Sequence, residues 1–487
     1  MSADTEATPK PHLTATLLLG CLAQFMVILD VSVVNVALPA IRHGLGFTEN
    51  DLQWVVNAYT VTFAGFLLLG GRAADLLGRR RVFVAGLTLF ALASLAGAVA
   101  DSQGLLIAAR AVQGLGGAVI APASLSILTT TFAEGPARNR AVGIWGAMGG
   151  AGGAAGVLLG GVITDLLSWR WILFINVPIG LIAAVAARQL LLESRGAGHA
   201  REFDLRGALT ATVGLSLLVL GIVRTDQTGW GDTSTLLLIA AGFALLGTFL
   251  LIEGRIARSP LMPLRIYRSR TLSAANVIVL LVGGASFGMW FFMSLYLQQV
   301  HDYSPIRAGL AFLPMTLSIV AGSTAASRLI GRVGAKPILI AGMTSLTVGL
   351  FWFTDISVHG TYLGSMLVPS LLTALGIGLA FVPATISAVA GVEPHEAGLA
   401  SGLVNTARLF GGALGLAILA AIATSRTDTD LHHAGTTAHV ALVSGFQLAF
   451  AVSAAFALVG ALVAVFGLPR LPARDRAHAA MTPIETA

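Results

Sequence analysis

The chain has 487 residues, of which 56% are hydrophobic and only 11% are charged, whereas an ordinary soluble domain is about 25% charged. This composition excludes a water-soluble enzyme and predicts an all-α polytopic membrane protein. The formal charge of +6 comes from basic residues between the apolar runs, which indicates helix orientation and no nucleic-acid binding.

Long apolar runs follow one another along the whole chain, and we interpret each as a transmembrane helix of about 20 residues. The first run exceeds the length of a signal-peptide core and is expected to stay in the protein. The single cysteine, Cys21, lies in this run, which excludes intrachain disulfides. The fourteen predicted spans lie near 13–38, 54–74, 82–100, 104–131, 141–167, 171–192, 205–223, 235–252, 272–297, 308–330, 337–354, 363–390, 399–424 and 440–468.

An internal repeat predicts how the spans are grouped. The stretch 71–81 after the second span resembles the stretch 327–337 after the tenth, with a glycine where Asp75 stands. An offset of eight helices requires two six-helix halves separated by an extra pair of helices. Chance similarity between short basic loops remains the alternative. The expected segments are a cytoplasmic tail (1–12), a six-helix bundle (13–192), a two-helix insert (205–252), a second six-helix bundle (272–468) and a cytoplasmic tail (469–487).

Basic residues predict the orientation, because cytoplasmic loops carry the excess of Lys and Arg. With the N-terminus inside, 22 of the 29 basic residues lie in inner segments, so both termini are expected to be cytoplasmic. No connection is long enough for a catalytic domain, and the glycine-rich loops contain no phosphate-binding motif, since Lys336 is followed by Pro337. We therefore expect a non-enzymatic protein without cofactor that draws its energy from an ion gradient.

Several of these stretches resemble known transporters. The 71–81 loop is similar to the signature loop of the major facilitator superfamily. The stretches 29–39, 110–114, 169–178, 303–309 and 401–408 resemble those of the fourteen-helix drug:proton antiporters of the EmrB/QacA type. The resemblance covers about 13–468. It implies the major facilitator fold with 14 transmembrane helices (6+2+6), proton coupling, and a monomer in the inner (plasma) membrane.

Two intramembrane charges are the candidates for proton coupling. Asp30 is the only acidic residue predicted well inside a span, and such residues are functional candidates because a carboxylate in hydrocarbon is costly. Arg110 shares a helical face with Gln113 and Gly114 and can hydrogen-bond a carboxylate. The resemblance implies a role for Arg110 in proton transfer. The alternatives are a structural role for Asp30, through groups such as Asn35, and a buried structural ion pair for Arg110.

Two further motifs are expected to control conformation. The 71–81 loop is a candidate gate at the cytoplasmic side. The alternative is that its positive charges only orient the helices. The predicted gate residues are Gly71, Arg72, Asp75, Gly78, Arg79 and Arg80. A glycine stripe on the fifth span permits close helix packing, and its residues are Gly143, Gly152, Gly156, Gly160 and Gly161. The antiporters usually have proline after the third of these glycines, where this chain has Val157.

The substrate cavity is nominated from polar, methionine and aromatic side chains, which suit binding of varied apolar compounds. The nominated residues are Gln24, Asn57, Gln113, Trp290, Phe291, Met293, Tyr296, Asn405 and Arg408. The sequence leaves several functions open. The leading one is a proton-coupled multidrug efflux antiporter, and the others are a dedicated exporter of an endogenous antibiotic, metabolite or lipid, a nutrient importer, and a membrane receptor or scaffold.

Overall fold

The described chain is almost entirely helical and contains fifteen α-helices. The computed structural model describes residues 12–132, 136–194, 204–257, 260–390, 397–432 and 437–469. The helices are α1 (Leu13–Leu45), α2 (Glu49–Leu77), α3 (Arg79–Ala98), α4 (Gln103–Thr131), α5 (Pro136–Leu166), α6 (Arg170–Phe174), α7 (Asn176–Leu190), α8 (Leu205–Thr228), α9 (Thr233–Leu251), α10 (Arg270–Leu295), α11 (Pro305–Val333), α12 (Ala335–Trp352), α13 (Leu367–Ala390), α14 (Ala397–Leu431) and α15 (Ala438–Gly467).

Thirteen helical segments of the described chain are long and apolar enough to cross a membrane. α6 and α7 together form one of them, Arg170–Leu190. α2, which contains the predicted span 54–74, is 29 residues long and is not among the thirteen; some of its residues lie outside the described set. The chain is therefore a multi-pass integral membrane protein, with thirteen candidate spans in its described part.

The first helix is longer than the sequence predicts. α1 passes through Pro39 and ends at Leu45, although the predicted span stops at 38. Neighbouring helices allow a proline inside a membrane helix, because they fix the backbone around the lost hydrogen bond. Gly46 ends α1 in the left-handed conformation, with φ of +68°, and its N–H bonds to the Arg42 carbonyl.

The eighth predicted span also extends further, by a turn that contains an acidic residue. A π-helical turn, Ile252–Ile256, continues α9 within the candidate span Thr233–Ile256. Glu253 is therefore a buried acidic residue in the last turn of a span, whereas Asp30 lies well inside α1. Its carboxylate accepts the Met262 N–H at 2.7 Å, so the turn is held by the segment that follows it.

The sixth predicted span is broken where the sequence predicts one continuous helix. α6 ends at Phe174 and α7 begins at Asn176. Pro178 has no N–H to donate to the Phe174 carbonyl, which explains a break at this point. The break places Asn176 at the start of a new helix, facing the centre of the surrounding bundle.

The helices form two packed groups that meet along two seams. α1–α7 pack mainly on one another, and α10–α15 form the second group. We call these groups the N-terminal and C-terminal halves. The halves meet where α2 contacts α14 and where α5 contacts α11. α8 packs against both α2 and α14, while α9 packs mainly against α8, so this pair of helices covers the first seam.

Close backbone approach holds α5 against α1. A Cβ on Gly156 would lie 2.7 Å from the Leu29 carbonyl oxygen, and one on Gly160 would lie 2.9 Å from that of Val33. Gly152 meets the Phe25 carbonyl in the same way at 2.8 Å. The spacing of four in α5 therefore matches carbonyls four residues apart in α1, and only glycine fits each position.

The two halves carry equivalent turns, as the repeat predicts. Gly78 and Gly334 precede α3 and α12, with φ of +111° and +86°. Arg80 donates to the Leu191 carbonyl just beyond α7 at 3.2 Å. Lys336 donates to the carbonyls of Val465 and Leu468 at the end of α15. A basic side chain thus caps the last helix of each half.

Direct contacts join the halves at the end of the molecule where α1 ends and α2 begins, which we call the α1–α2 end. Ser294 of α10 donates to the Asn35 carbonyl at 2.7 Å, and Gln298 donates to the Val36 carbonyl at 2.9 Å. Beside them, a Cβ on Gly161 would lie 2.6 Å from the Pro305 carbonyl oxygen. The halves are therefore closed against each other at this end.

Substitution of the glycine stripe tests the α1–α5 contact. We expect Gly156→Ala to lower the free energy of unfolding by about 1–3 kcal/mol, because the added methyl overlaps the α1 backbone. Gly153→Ala is the matched control on the same helix, since its nearest neighbour would be the Ser32 hydroxyl at 3.9 Å. Thermal unfolding of the purified proteins measures both. Equal stability of the two variants would contradict the close packing.

Candidate functional site

A buried ion pair lies at the centre of the N-terminal half. Arg110 Nη1 of α4 donates to Asp30 Oδ2 of α1 at 2.6 Å. Asp30 Oδ1 accepts two further hydrogen bonds, from Gln113 Nε2 at 2.7 Å and from Asn176 Nδ2 at 2.8 Å. Three donors from α4 and α7 thus satisfy both oxygens of this carboxylate.

Arg110 makes further contacts in addition to its bond with Asp30. Its Nη1 also donates to Gln113 Oε1 at 2.6 Å, and its Nε donates to the Val55 carbonyl of α2 at 3.0 Å. The guanidinium lies over the Tyr59 ring, 4.4 Å from the ring centroid. Arg110 therefore contacts α1 and α2 from its position on α4, which links three helices through one side chain.

Burial makes the pair strongly interdependent. The Asp30 side chain is 0% exposed and that of Arg110 is 2% exposed. Removal of one partner from such a pair leaves an uncompensated charge and costs about 3–5 kcal/mol. In this conformation the surrounding helices shield the carboxylate from water.

Small residues on α4 bring α2 close enough for these contacts. A Cβ on Gly114 would lie 2.3 Å from the Tyr59 carbonyl oxygen, and one on Gly117 would lie 2.8 Å from the Tyr59 hydroxyl. The face predicted to combine Arg110 with small residues is thus the face that packs on α2. Asn35 does not hold Asp30, because its amide donates to the Val31 carbonyl of its own helix.

The predicted gate loop is anchored within the N-terminal half. Arg79 Nε donates to Ser126 Oγ at 2.6 Å, and the Arg80 N–H donates to Glu193 Oε1 at 3.1 Å. The guanidinium Nε atoms of Arg80 and Arg81 each lie 3.6 Å from Glu193 Oε2. Glu193 thus ties the α2–α3 turn to the chain after α7.

The other predicted gate residues are placed as follows. Gly71 lies beside Pro122 of α4, and Arg72 is half-buried. Gly78 lies against the Glu193 carboxylate, where a Cβ would be 2.6 Å from Oε1. The side chain of Asp75 lies outside the described residues, as does the surrounding of Gly143 in α5. The role of this loop as a gate stays a prediction.

The structure places the nominated cavity residues in different surroundings. Gln24 and Trp290 are half-buried, and Asn57 is fully buried with its amide 3.4 Å from the Gln53 side-chain oxygen. Asn405 and Arg408 are half-buried and hydrogen-bonded to each other. Gln113 belongs to the Asp30 network described above.

Three nominated residues lie in the core of the C-terminal half. Phe291 packs edge-on against Phe292, Met293 contacts Ser370 of α13, and the Tyr296 hydroxyl donates to the Ser357 carbonyl at 2.7 Å. All three are at most 2% exposed. This corrects their assignment to the cavity surface, because these three side chains are packed inside this half, whereas Trp290 is half-buried.

Several residues of the site were not identified from the sequence. Asn176 and Ser94 complete the hydrogen bonds around Asp30 and Gln113, and Glu193 anchors the loop. Pro178 is the sequence signal for the helix break that positions Asn176 to donate to Asp30. The partner of each group depends on helix packing, so the sequence carries no comparable signal for Ser94 or Glu193.

Comparison with known proteins assigns the family. Residues 20–416 match the family described as the Major Facilitator Superfamily. The chain belongs to this superfamily. It is 45% identical over 417 residues to the cephamycin export protein CmcT of Amycolatopsis lactamdurans, with 85% of this chain and 86% of that protein covered. It is 40% identical to the puromycin resistance protein pur8 of Streptomyces alboniger, with 93% and 90% covered.

Solved structures show the same fold in more distant proteins. A bacterial homolog of the human lysosomal transporter Spinster, in an inward-facing and unoccupied conformation, superposes with a TM-score of 0.65 at 14% identity. The match covers 98% of this chain and all of that one. As a member of the Major Facilitator Superfamily, the chain is a non-enzymatic membrane transporter of small molecules.

Substitution at Gly78 tests the anchored loop of this transporter. A side chain at φ of +111° is strained by about 1–3 kcal/mol, and its Cβ would also displace the Glu193 carboxylate. We therefore expect Gly78→Ala to lower the unfolding temperature clearly. Gly71→Ala is the control within the same motif, because its Cβ would meet Pro122 at an ordinary 3.4 Å. Unchanged thermal unfolding of Gly78→Ala would contradict the described turn.

Proposed function

We propose that this transporter is a proton-coupled exporter of hydrophobic, drug-like small molecules that works by alternating access in the cell membrane. The observation that carries the proposal is the Asp30–Arg110 pair, a buried acid and base held by α1, α4 and α7. The export and resistance functions in the names of the similar proteins support the same direction of transport.

The proposed topology has fourteen spans in a six, two and six arrangement, with α2 as the span beyond the thirteen candidates. α2 supports this because it packs beside α4 along the N-terminal half and also reaches α14. Both termini are proposed to be cytoplasmic, and the transporter is proposed to act as a monomer. The glycine stripe of α5, like that of the antiporters, favours proton exchange for substrate.

The pair offers a route by which proton binding changes the conformation. Protonation of Asp30 removes its charge and releases Arg110, which weakens the hold of α4 and α7 on α1. α1 also carries the Asn35 and Val36 carbonyls, which accept hydrogen bonds from Ser294 of α10 and from Gln298 just after it, at the α1–α2 end. Movement of α1 after protonation therefore opens the contacts that close this end.

A dedicated exporter of an endogenous antibiotic is the second candidate. Its support is the 45% identity to a protein named for cephamycin export. The two candidates differ in substrate range. A drug exporter accepts many unrelated apolar compounds, whereas a dedicated exporter accepts one structural class.

The pH gradient across proteoliposomes tests the proposal. We expect wild-type protein to dissipate an imposed gradient when certain lipophilic cations, neutral drugs or weak acids are added one at a time. We expect Asp30→Asn to reduce this proton flux to the protein-free level, because an amide does not exchange a proton.

Controls keep this test informative if the variant is unstable. Asp101→Asn removes an exposed acid at the α3–α4 connection and is expected to behave as wild type. The double variant Asp30→Asn, Arg110→Gln avoids an uncompensated buried charge and is expected to fold but not to couple. Wild-type proton flux in Asp30→Asn at equal abundance would overturn the coupling role. Silence of the wild type with the whole panel would favour the dedicated exporter.

A further inference from the structure

Arg408 is a membrane-embedded cation whose described contacts include no carboxylate. Its Nε and Nη2 donate to Asn405 Oδ1 at 3.3 and 3.1 Å, and its guanidinium lies 5.9 Å from the Phe381 ring centroid. Both described partners are neutral. Asp30 and Arg110 neutralise each other, whereas Arg408 has no acidic partner among its described contacts.

The surroundings of Arg408 direct it away from lipid. Its carbonyl packs on α10, where a Cβ at Gly283 would lie 2.1 Å from the oxygen. Phe381 of α13 covers one side of the guanidinium, and the neighbouring residue Leu409 packs in the same apolar cluster as Tyr59 of α2. The side chain is half-buried, and α14 also packs on α2 of the N-terminal half, so we expect its accessible part to face that half.

A buried hydroxyl without a described partner lies on the other half. Tyr59 is 1% exposed, and its hydroxyl has no hydrogen-bond partner among the described residues. The Arg110 guanidinium lies over its ring, 4.4 Å from the centroid, and Tyr59 shares an apolar cluster with Leu409, the chain neighbour of Arg408. A buried hydroxyl without a partner is costly, so an acceptor brought to this position when the halves rearrange would stabilise it.

We propose that Arg408, Asn405 and the Tyr59 hydroxyl bind a carboxylate carried by the transported compound, which makes amphipathic monocarboxylates a substrate class of this transporter. The planar guanidinium fits a carboxylate through two parallel hydrogen bonds. Asn405 orients the guanidinium from one turn away, and Tyr59 supplies a further donor from the opposite half. The inference rests on the proposed export function and adds to it the chemistry of the cargo.

Matched pairs of compounds that differ only in charge test this site. We would measure equilibrium binding of 1-naphthylacetate and 1-naphthylacetamide, and of 9-anthracenepropionate and its primary amide, to the full chain in lipid nanodiscs. Wild-type protein is expected to bind each carboxylate about tenfold or more tightly than its amide, because hydrogen bonds to a charged group are the stronger ones.

Variants assign the preference to the proposed residues. Arg408→Gln is expected to remove it, a loss of about tenfold to a hundredfold in carboxylate affinity with amide affinity unchanged. Arg408→Lys keeps the charge and is expected to retain part of the preference. Tyr59→Phe is expected to weaken carboxylate binding alone, by about threefold to tenfold. The matched control is Arg426→Gln on the same helix, where the arginine is exposed and paired with Asp430.

The possible results separate this inference from the proposed function. Equal binding of acid and amide by the wild type, no binding of either pair, or an undiminished preference in Arg408→Gln would each overturn the carboxylate site. A preference unaffected by Tyr59→Phe would overturn the part assigned to Tyr59. The binding assay contains no proton gradient, so its failure leaves the proton-flux test intact. Failure of proton coupling would equally leave the binding preference measurable.

Discussion

A carboxylate inside a membrane needs charged and hydrogen-bonding partners, and much of the N-terminal half is arranged to provide them for Asp30. Arg110 and Gln113 reach it from α4, and Asn176 reaches it from the start of α7. These contacts require α1, α2, α4 and α7 to pack closely around one point. The pair therefore connects the stability of this half to the charge of a single residue.

Glycine makes this close packing possible, both around the ion pair and between the two halves. Gly156 in α5 meets an α1 carbonyl next to Asp30, while Gly114 in α4 meets the α2 backbone next to Tyr59. Gly161 meets α11 across the second seam. The contacts around the ion pair and those between the halves thus share helices α1 and α5.

The two halves differ in the partners of their intramembrane arginines. Arg110 is fully neutralised by an acid, whereas the described partners of Arg408 are neutral. The turns that precede α3 and α12 are nevertheless alike, with a left-handed glycine and a basic side chain that caps the last helix of each half.

The sequence by itself determined the class of the protein, because apolar length and the spacing of glycine and basic residues are local properties. It also predicted the superfamily, and it singled out Asp30 and Arg110, since a charge in an apolar run is visible without a structure. Only the tertiary structure decided which groups meet. Asn176, Ser94 and Glu193 lie far along the chain from their partners, and Phe291, Met293 and Tyr296 lie in the core of the C-terminal half. Helix rotation and pairing arise from the packing of all the helices together, which no single stretch of sequence specifies.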